Sequence, residues 1–153
     1  MKKISVLIIA IMFLFGCADS TANDTNGLKW YTSIDEAIVV ATKENRPILV
    51  QFSGSDWCKW CIKLNDEVFN TKDFAAYAKD NMVLVNLDFP RTIAQSDEVK
   101  NYNQSMAQKY GVRGFPTVLL LDKEGNTVRV TGYQPGGPKV YVEHIKEAYD
   151  SKG

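Results

Sequence analysis

Three short runs of mainly apolar residues constrain the fold of this chain most: Ile48-Leu49-Val50-Gln51-Phe52, Met82-Val83-Leu84-Val85-Asn86-Leu87-Asp88 and Val118-Leu119-Leu120-Leu121. Each has the length of a strand rather than a helix, and near-continuous apolar strands belong in a sheet covered on both faces. The segments between them carry helical signals. Ser33-Ile34-Asp35-Glu36 is a capping box, Ile34, Ala37, Ile38 and Ala41 follow at helical spacing to about Asn45, and Pro47 ends the segment. Further helices are expected from Cys58 to about Phe69, Thr71 to Asp80, Ser96 to Tyr110 and Pro138 to Tyr149. Lys123-Glu124-Gly125-Asn126 reads as a hairpin turn leading into a fourth strand, Thr127 to Thr131. Alternation of helix and strand predicts parallel pairing, and the hairpin adds an antiparallel part. The expected class is α/β, a central mixed β-sheet flanked by helices.

The N-terminus reads differently. Lys2 and Lys3 precede an apolar run from Ile4 to Phe15, interrupted only by Ser5, and Gly16-Cys17 follows. This is the pattern of an export signal, too short for a comfortable membrane span. Leu14-Phe15-Gly16-Cys17 resembles a bacterial lipobox, in which Cys17 becomes the lipidated first residue; cleavage after Ala18 by an ordinary signal peptidase is the alternative. Residues 1–17 are therefore read as a signal peptide of the lipoprotein type. Residues 18–29 read as a flexible tether rich in Ser, Thr, Asn and Asp, and residues 30–153 as one domain. The expected location is outside the cytoplasm of a bacterium, in the periplasm or held on a membrane by a lipid anchor. Removal of the signal leaves 16 basic against 18 acidic groups, a net charge of −2. No basic stripe or block is present, so no nucleic-acid partner is expected.

Export changes what the cysteines mean. Cys17 belongs to the signal, which leaves Cys58 and Cys61 in the domain. A pair so closely spaced closes too small a loop to act as a staple, and in an oxidising compartment it points to redox chemistry. The pair follows an apolar strand through the turn Ser53-Gly54-Ser55-Asp56 into a helix start. There, unpaired N–H groups and the helix dipole favour a thiolate, so a lowered thiol pKa is expected at Cys58, with Lys59 adding positive charge nearby. Cys61 stands three residues on, on the same helix face. The expected reaction is attack by Cys58 on a substrate disulfide and resolution by Cys61, or the reverse. Zinc is disfavoured because only the distant His144 adds to the two thiols, and haem because Ile62 stands where a His would be needed. No metal or other cofactor is expected. Trp57 and Trp60 flank the sulfurs and are read as their cover and as an apolar docking surface.

The second motif is Tyr110-Gly111-Val112-Arg113-Gly114-Phe115-Pro116-Thr117, directly before the third strand. Pro116 cannot lie within a central ladder and must stand at the strand's entrance or in a special turn. Together, W-C-x-x-C and Y-G-V-R-G-F-P-T followed by a strand ending at Gly132 resemble the thioredoxin family over nearly all of residues 34–149. The stretch from Ser55 to Leu64 is similar to exported bacterial thioredoxin-like proteins and to the C-terminal domain of the membrane thiol:disulfide interchange reductase. The resemblance implies a thioredoxin fold and a cis Pro116 lying against the cysteine pair. It also implies that the Phe115 backbone binds an extended substrate segment.

The chain departs from the family in several places. Lys59-Trp60 replaces Gly-Pro between the cysteines, Gln51 stands about where thioredoxin keeps a buried acid, and Leu84 replaces that acid's lysine partner. The Cys61 proton must then move through another group, Asp56 or water. The expected partners are proteins carrying disulfides or dithiols and a membrane or soluble thiol electron donor. Reductase activity is the leading reading. An oxidase or isomerase, and a non-enzymatic peptide-binding module, are the alternatives.

Overall fold

The computed structural model describes residues 21–151; the expected signal and Cys17 lie outside the described residues. One six-stranded sheet runs through the molecule in the order β1-β2-β4-β3-β5-β6. Its strands are β1 (Thr21–Thr25), β2 (Leu28–Tyr31), β3 (Ile48–Ser53), β4 (Val83–Asp88), β5 (Thr117–Leu121) and β6 (Thr127–Thr131). The trio β2, β4 and β3 pairs in parallel, whereas β1 joins β2, and β5 joins β3 and β6, antiparallel. The helices are α1 (Ile34–Glu44), α2 (Lys59–Leu64), α3 (Lys72–Asn81), α4 (Asp97–Lys109) and α5 (Gly137–Asp150). A π-helical turn, Asn65–Phe69, extends α2. The α/β class with a mixed, helix-flanked sheet is confirmed.

Strand alternation sorts the core into two layers. Leu49, Leu84, Val118 and Leu120 face one way, against Leu64, Val68, Phe69, Phe74, Tyr141 and Ile145. Their neighbours Ile48, Val50, Phe52, Val83, Val85, Leu87, Leu119 and Leu121 face the other way, against Ile34, Ala37, Ala41 and Ala107. This two-sided burial is why the strand runs are apolar at successive positions, with Gln51, Asn86 and Asp88 as the polar exceptions. Helix ends follow local chemistry: the Ser33 hydroxyl accepts from the Glu36 N–H at 3.2 Å, and Thr71 and Ser96 cap α3 and α4 in the same way.

One expectation needs correction. Most of the presumed tether, residues 21–25 and 28–29, is strand, and with Trp30 and Tyr31 it forms a hairpin that widens the sheet to six strands. Asn26 (φ 61°) and Gly27 (φ 74°) both take the left-handed region, as a tight hairpin turn requires. The polar sequence Thr21–Thr25 hides this strand because it lies at the edge of the sheet, where backbone pairing to β2 suffices and apolar alternation is not needed.

Candidate active site

β3 delivers the chain to the cysteines. The Gly54 carbonyl accepts hydrogen bonds from the N–H groups of Trp57 at 3.3 Å and Cys58 at 2.8 Å. A Cβ on Gly54 would stand 2.5 Å from the Trp57 ring, so the indole packs over this turn only because the residue is glycine. Cys58 is the N-cap of α2, and its Sγ accepts from the Cys61 N–H at 3.2 Å. The two residues form a disulfide, with their Cα atoms 5.2 Å apart. Cys58 retains 6% exposure and Cys61 none, so an arriving sulfur meets Cys58 first. Lys59 is exposed at the first position of α2.

Trp57 ties the site to two other segments. Its Nε1 donates to the Phe89 carbonyl at 2.8 Å, its ring meets Phe115 edge-on at 5.8 Å, and the Arg91 guanidinium lies 3.8 Å from its ring centre. Phe89 and Phe115 also touch, at 5.0 Å. The Phe115–Pro116 bond is cis and stands at the entrance to β5. Beside the pair, Trp60 is 52% exposed and packs on Tyr133 at 5.2 Å. The Tyr133 hydroxyl donates to Glu67 at 2.6 Å, and Glu67 pairs with Lys63 at 2.7 Å. The hydrogen bond from Lys63, then that from Tyr133, holds the Glu67 carboxyl below its ordinary range.

Asp56, read from the sequence as a group tuning the thiols, has its carboxylate occupied by the loop after β4. It accepts from the Arg91 N–H at 2.9 Å, the Thr92 N–H at 2.6 Å and the Thr92 hydroxyl. These bonds, the Thr92 side chain foremost, bring its pKa from 3.8 down to about 2. The folded-state pKa is the lower one, so the stabilisation is present above the unfolded value of 3.8 and is lost as pH falls through about 2. Acid titration should therefore free this loop from Trp57 across that window, seen as a tryptophan fluorescence change. The change should be missing in Asp56→Asn; a variant that titrates like the parent refutes the assignment.

Between β3 and the π-helical turn that extends α2, two amide side chains meet. Gln51 is 2% exposed, and its Nε2 donates to Asn65 Oδ1 at 3.0 Å. The strand register puts Asn86 opposite Gln51, whereas Leu84 lies opposite Leu49 in the core. The neighbour of Gln51 is thus an amide, not the leucine expected from sequence. Asn65 and Asn86 had detectable signals: one follows Cys61 by four residues, and the other interrupts the apolar run of β4. Arg91 and Tyr133 had none, because only chain folding brings them to the tryptophans.

Comparison with known proteins follows the same lines. Residues 34–141 match the thioredoxin-like domain family. A disulfide bond reductase, DsbH, of Chlamydia pneumoniae is 36% identical over 121 residues, spanning 79% of this chain and 72% of that protein. A solved DsbH oxidoreductase superposes with a TM-score of 0.75 at 31% identity, covering 96% of this chain and 94% of the other. A thioredoxin from Thermus thermophilus shares the fold at a TM-score of 0.60 and 20% identity, over 78% of this chain and 85% of its own.

Proposed function

This chain belongs to the thioredoxin-like family as a thiol-disulfide oxidoreductase related to bacterial DsbH and DsbD redox proteins, and we propose that it reduces disulfides in exported proteins. The observation that carries this reading is the asymmetry of the pair. Cys58 has some exposure and its sulfur takes an N–H at a helix start, whereas Cys61 is wholly enclosed. In the reduced protein that N–H stabilises a thiolate on Cys58, which attacks a substrate disulfide; Cys61 then closes the internal bond and releases the substrate thiol. Exposed Lys59 adds positive charge beside the attacking sulfur. Trp57, the outward face of Trp60, and the Phe115-Pro116 segment form the docking surface, with the Phe115 backbone pairing to an extended stretch of substrate.

The basic and apolar N-terminus supports export, and Cys17 is the residue we assign to a lipid anchor holding the domain at a membrane. A membrane or soluble thiol donor would return electrons to the pair. The second reading is an oxidase or isomerase. It is favoured by the Cys61 N–H on Cys58 and by Lys59, because stabilising the thiolate stabilises the reduced form and raises the potential.

The deciding measurement is the reduction potential of the pair, obtained by equilibrating the protein with thiol buffers and counting alkylated sulfurs by mass. A value near about −270 mV, the thioredoxin range, is expected for a reductase; one near about −120 mV would reverse the direction.

A further inference from the structure

In the thiol-disulfide exchange proposed above, the reading on which this inference rests, a substrate meets whatever side chains stand beside Cys58. Trp60 is the second residue of α2 and is exposed. An indole so open to solvent changes rotamer rapidly unless something holds it. Here Tyr133 holds it from one side, with ring centres 5.2 Å apart and planes inclined at 41°.

Tyr133 is in turn fixed from two directions. Its backbone follows Gly132, at the end of β6, where an added Cβ would stand 3.0 Å from the Pro116 carbonyl oxygen. The Gly132 carbonyl accepts from the hydroxyl of the buried Tyr141 at 3.0 Å, so this corner lies firmly against the cis-proline segment. The Tyr133 side chain then crosses to the helix that carries the cysteines. Its hydroxyl donates to Glu67 at 2.6 Å, and the Lys63 ammonium lies 5.7 Å from its ring centre and 2.7 Å from the same carboxylate. Exposed ion pairs of this kind add little to stability, so Lys63 and Glu67 matter here for the geometry they impose on the ring. Trp60 and Tyr133 thus form a continuous aromatic ledge that starts beside Pro116 and ends beside the cysteine pair.

We propose that Glu67 and Tyr133 are positioning residues that fix Trp60 as a ledge, and that the ledge selects substrate segments carrying an aliphatic or aromatic side chain next to the reacting cysteine. A rigid ring offers such a side chain a surface without an ordering cost at the moment of binding. A polar side chain in the same place would give up water against ring faces and receive no hydrogen bond from them. The nearest charges are spent on one another and on the Tyr133 hydroxyl.

The test uses two peptides, each with a single cysteine held in a mixed disulfide with thionitrobenzoate. Phenylalanine flanks the cysteine on both sides in one peptide, and serine in the other. The Cys58 thiolate bonds to the peptide sulfur, the bond to thionitrobenzoate breaks, and the coloured thiolate leaves. Cys61 then closes the internal disulfide and frees the peptide thiol, so the protein is oxidised and the mixed disulfide reduced. The quantity read is the ratio of second-order rate constants for the two peptides, divided by the same ratio measured with dithiothreitol. The reduced parent should favour the phenylalanine peptide by roughly two- to tenfold, the range that an ordered aromatic contact contributes. Tyr133→Ala and Glu67→Ala should each abolish that preference, whereas Glu67→Gln, which keeps an acceptor for the Tyr133 hydroxyl, should retain it. The two Glu67 variants decide the matter if Tyr133→Ala does not fold. A parent with no preference beyond that of dithiothreitol, or a preference undiminished in the alanine variants, overturns the proposal. Equal loss in Glu67→Gln and Glu67→Ala overturns the role given to the Glu67 acceptor. A parent inert towards both peptides would instead overturn the oxidoreductase reading.

Discussion

Cys58→Ser should leave a folded protein with no measurable thiol-disulfide exchange, a loss of at least about a thousandfold, because a serine hydroxyl at neutral pH is not the nucleophile a thiolate is. Cys61→Ser should behave differently. With Cys58 intact the first step proceeds, but nothing inside the protein can release the substrate, and mixed disulfides should accumulate. The asymmetry follows from geometry, since only Cys58 reaches the surface, at 6% exposure, and only its sulfur receives the Cys61 N–H. Non-reducing electrophoresis of each variant with a disulfide-bonded protein distinguishes the outcomes. Covalent adducts with Cys58→Ser and none with Cys61→Ser would exchange the assigned roles. Adducts with neither would remove Cys58 as the point of attack.

The largest effect on stability is expected at Phe69, the last residue of the π-helical turn. It is 2% exposed and packs against Trp30 at 5.6 Å, Phe74 at 4.9 Å and Tyr141 at 5.6 Å. It therefore joins the hairpin, α3 and α5 to the segment that carries Cys61. Truncation of such an aromatic to alanine costs about 3–5 kcal/mol through lost burial and the cavity left behind. For a domain of this size Phe69→Ala should lower the Tm by roughly 10 °C, measured by thermal unfolding of the oxidised protein. A shift within about 2 °C would mean that the three remaining rings can close the gap by repacking, against the close packing inferred here.

Much of this architecture was legible because the decisive signals are local or periodic. The Ser33 cap, the apolar runs of β3, β4 and β5 and the turn before β6 each report their own structure, and the structure has them where the sequence indicated. The edge hairpin was hidden because its pairing is a backbone matter. Its one available signal, Asn26-Gly27, lacks apolar alternation on the β1 side. At the site, the cysteine pair and its position between strand and helix were readable, as was the Phe115-Pro116 segment.

The partners of these residues were not. A sequence states that Asp56 is acidic and close to Cys58, but proximity along the chain does not say which hydrogen-bond donors surround a carboxylate. Folding brings the Arg91 and Thr92 N–H groups to it. The same holds for Gln51. Its polarity within an apolar strand was evident, whereas its neighbours depend on strand register and helix placement, which bring Asn86 and Asn65 from elsewhere in the chain. Hydrophobic periodicity and C-x-x-C spacing act over a few residues, so the fold class and the reactive pair were readable from the chain alone. The surroundings of that pair came from folding, because hydrogen-bond partners, burial and cavities arise from contacts between segments far apart in the chain.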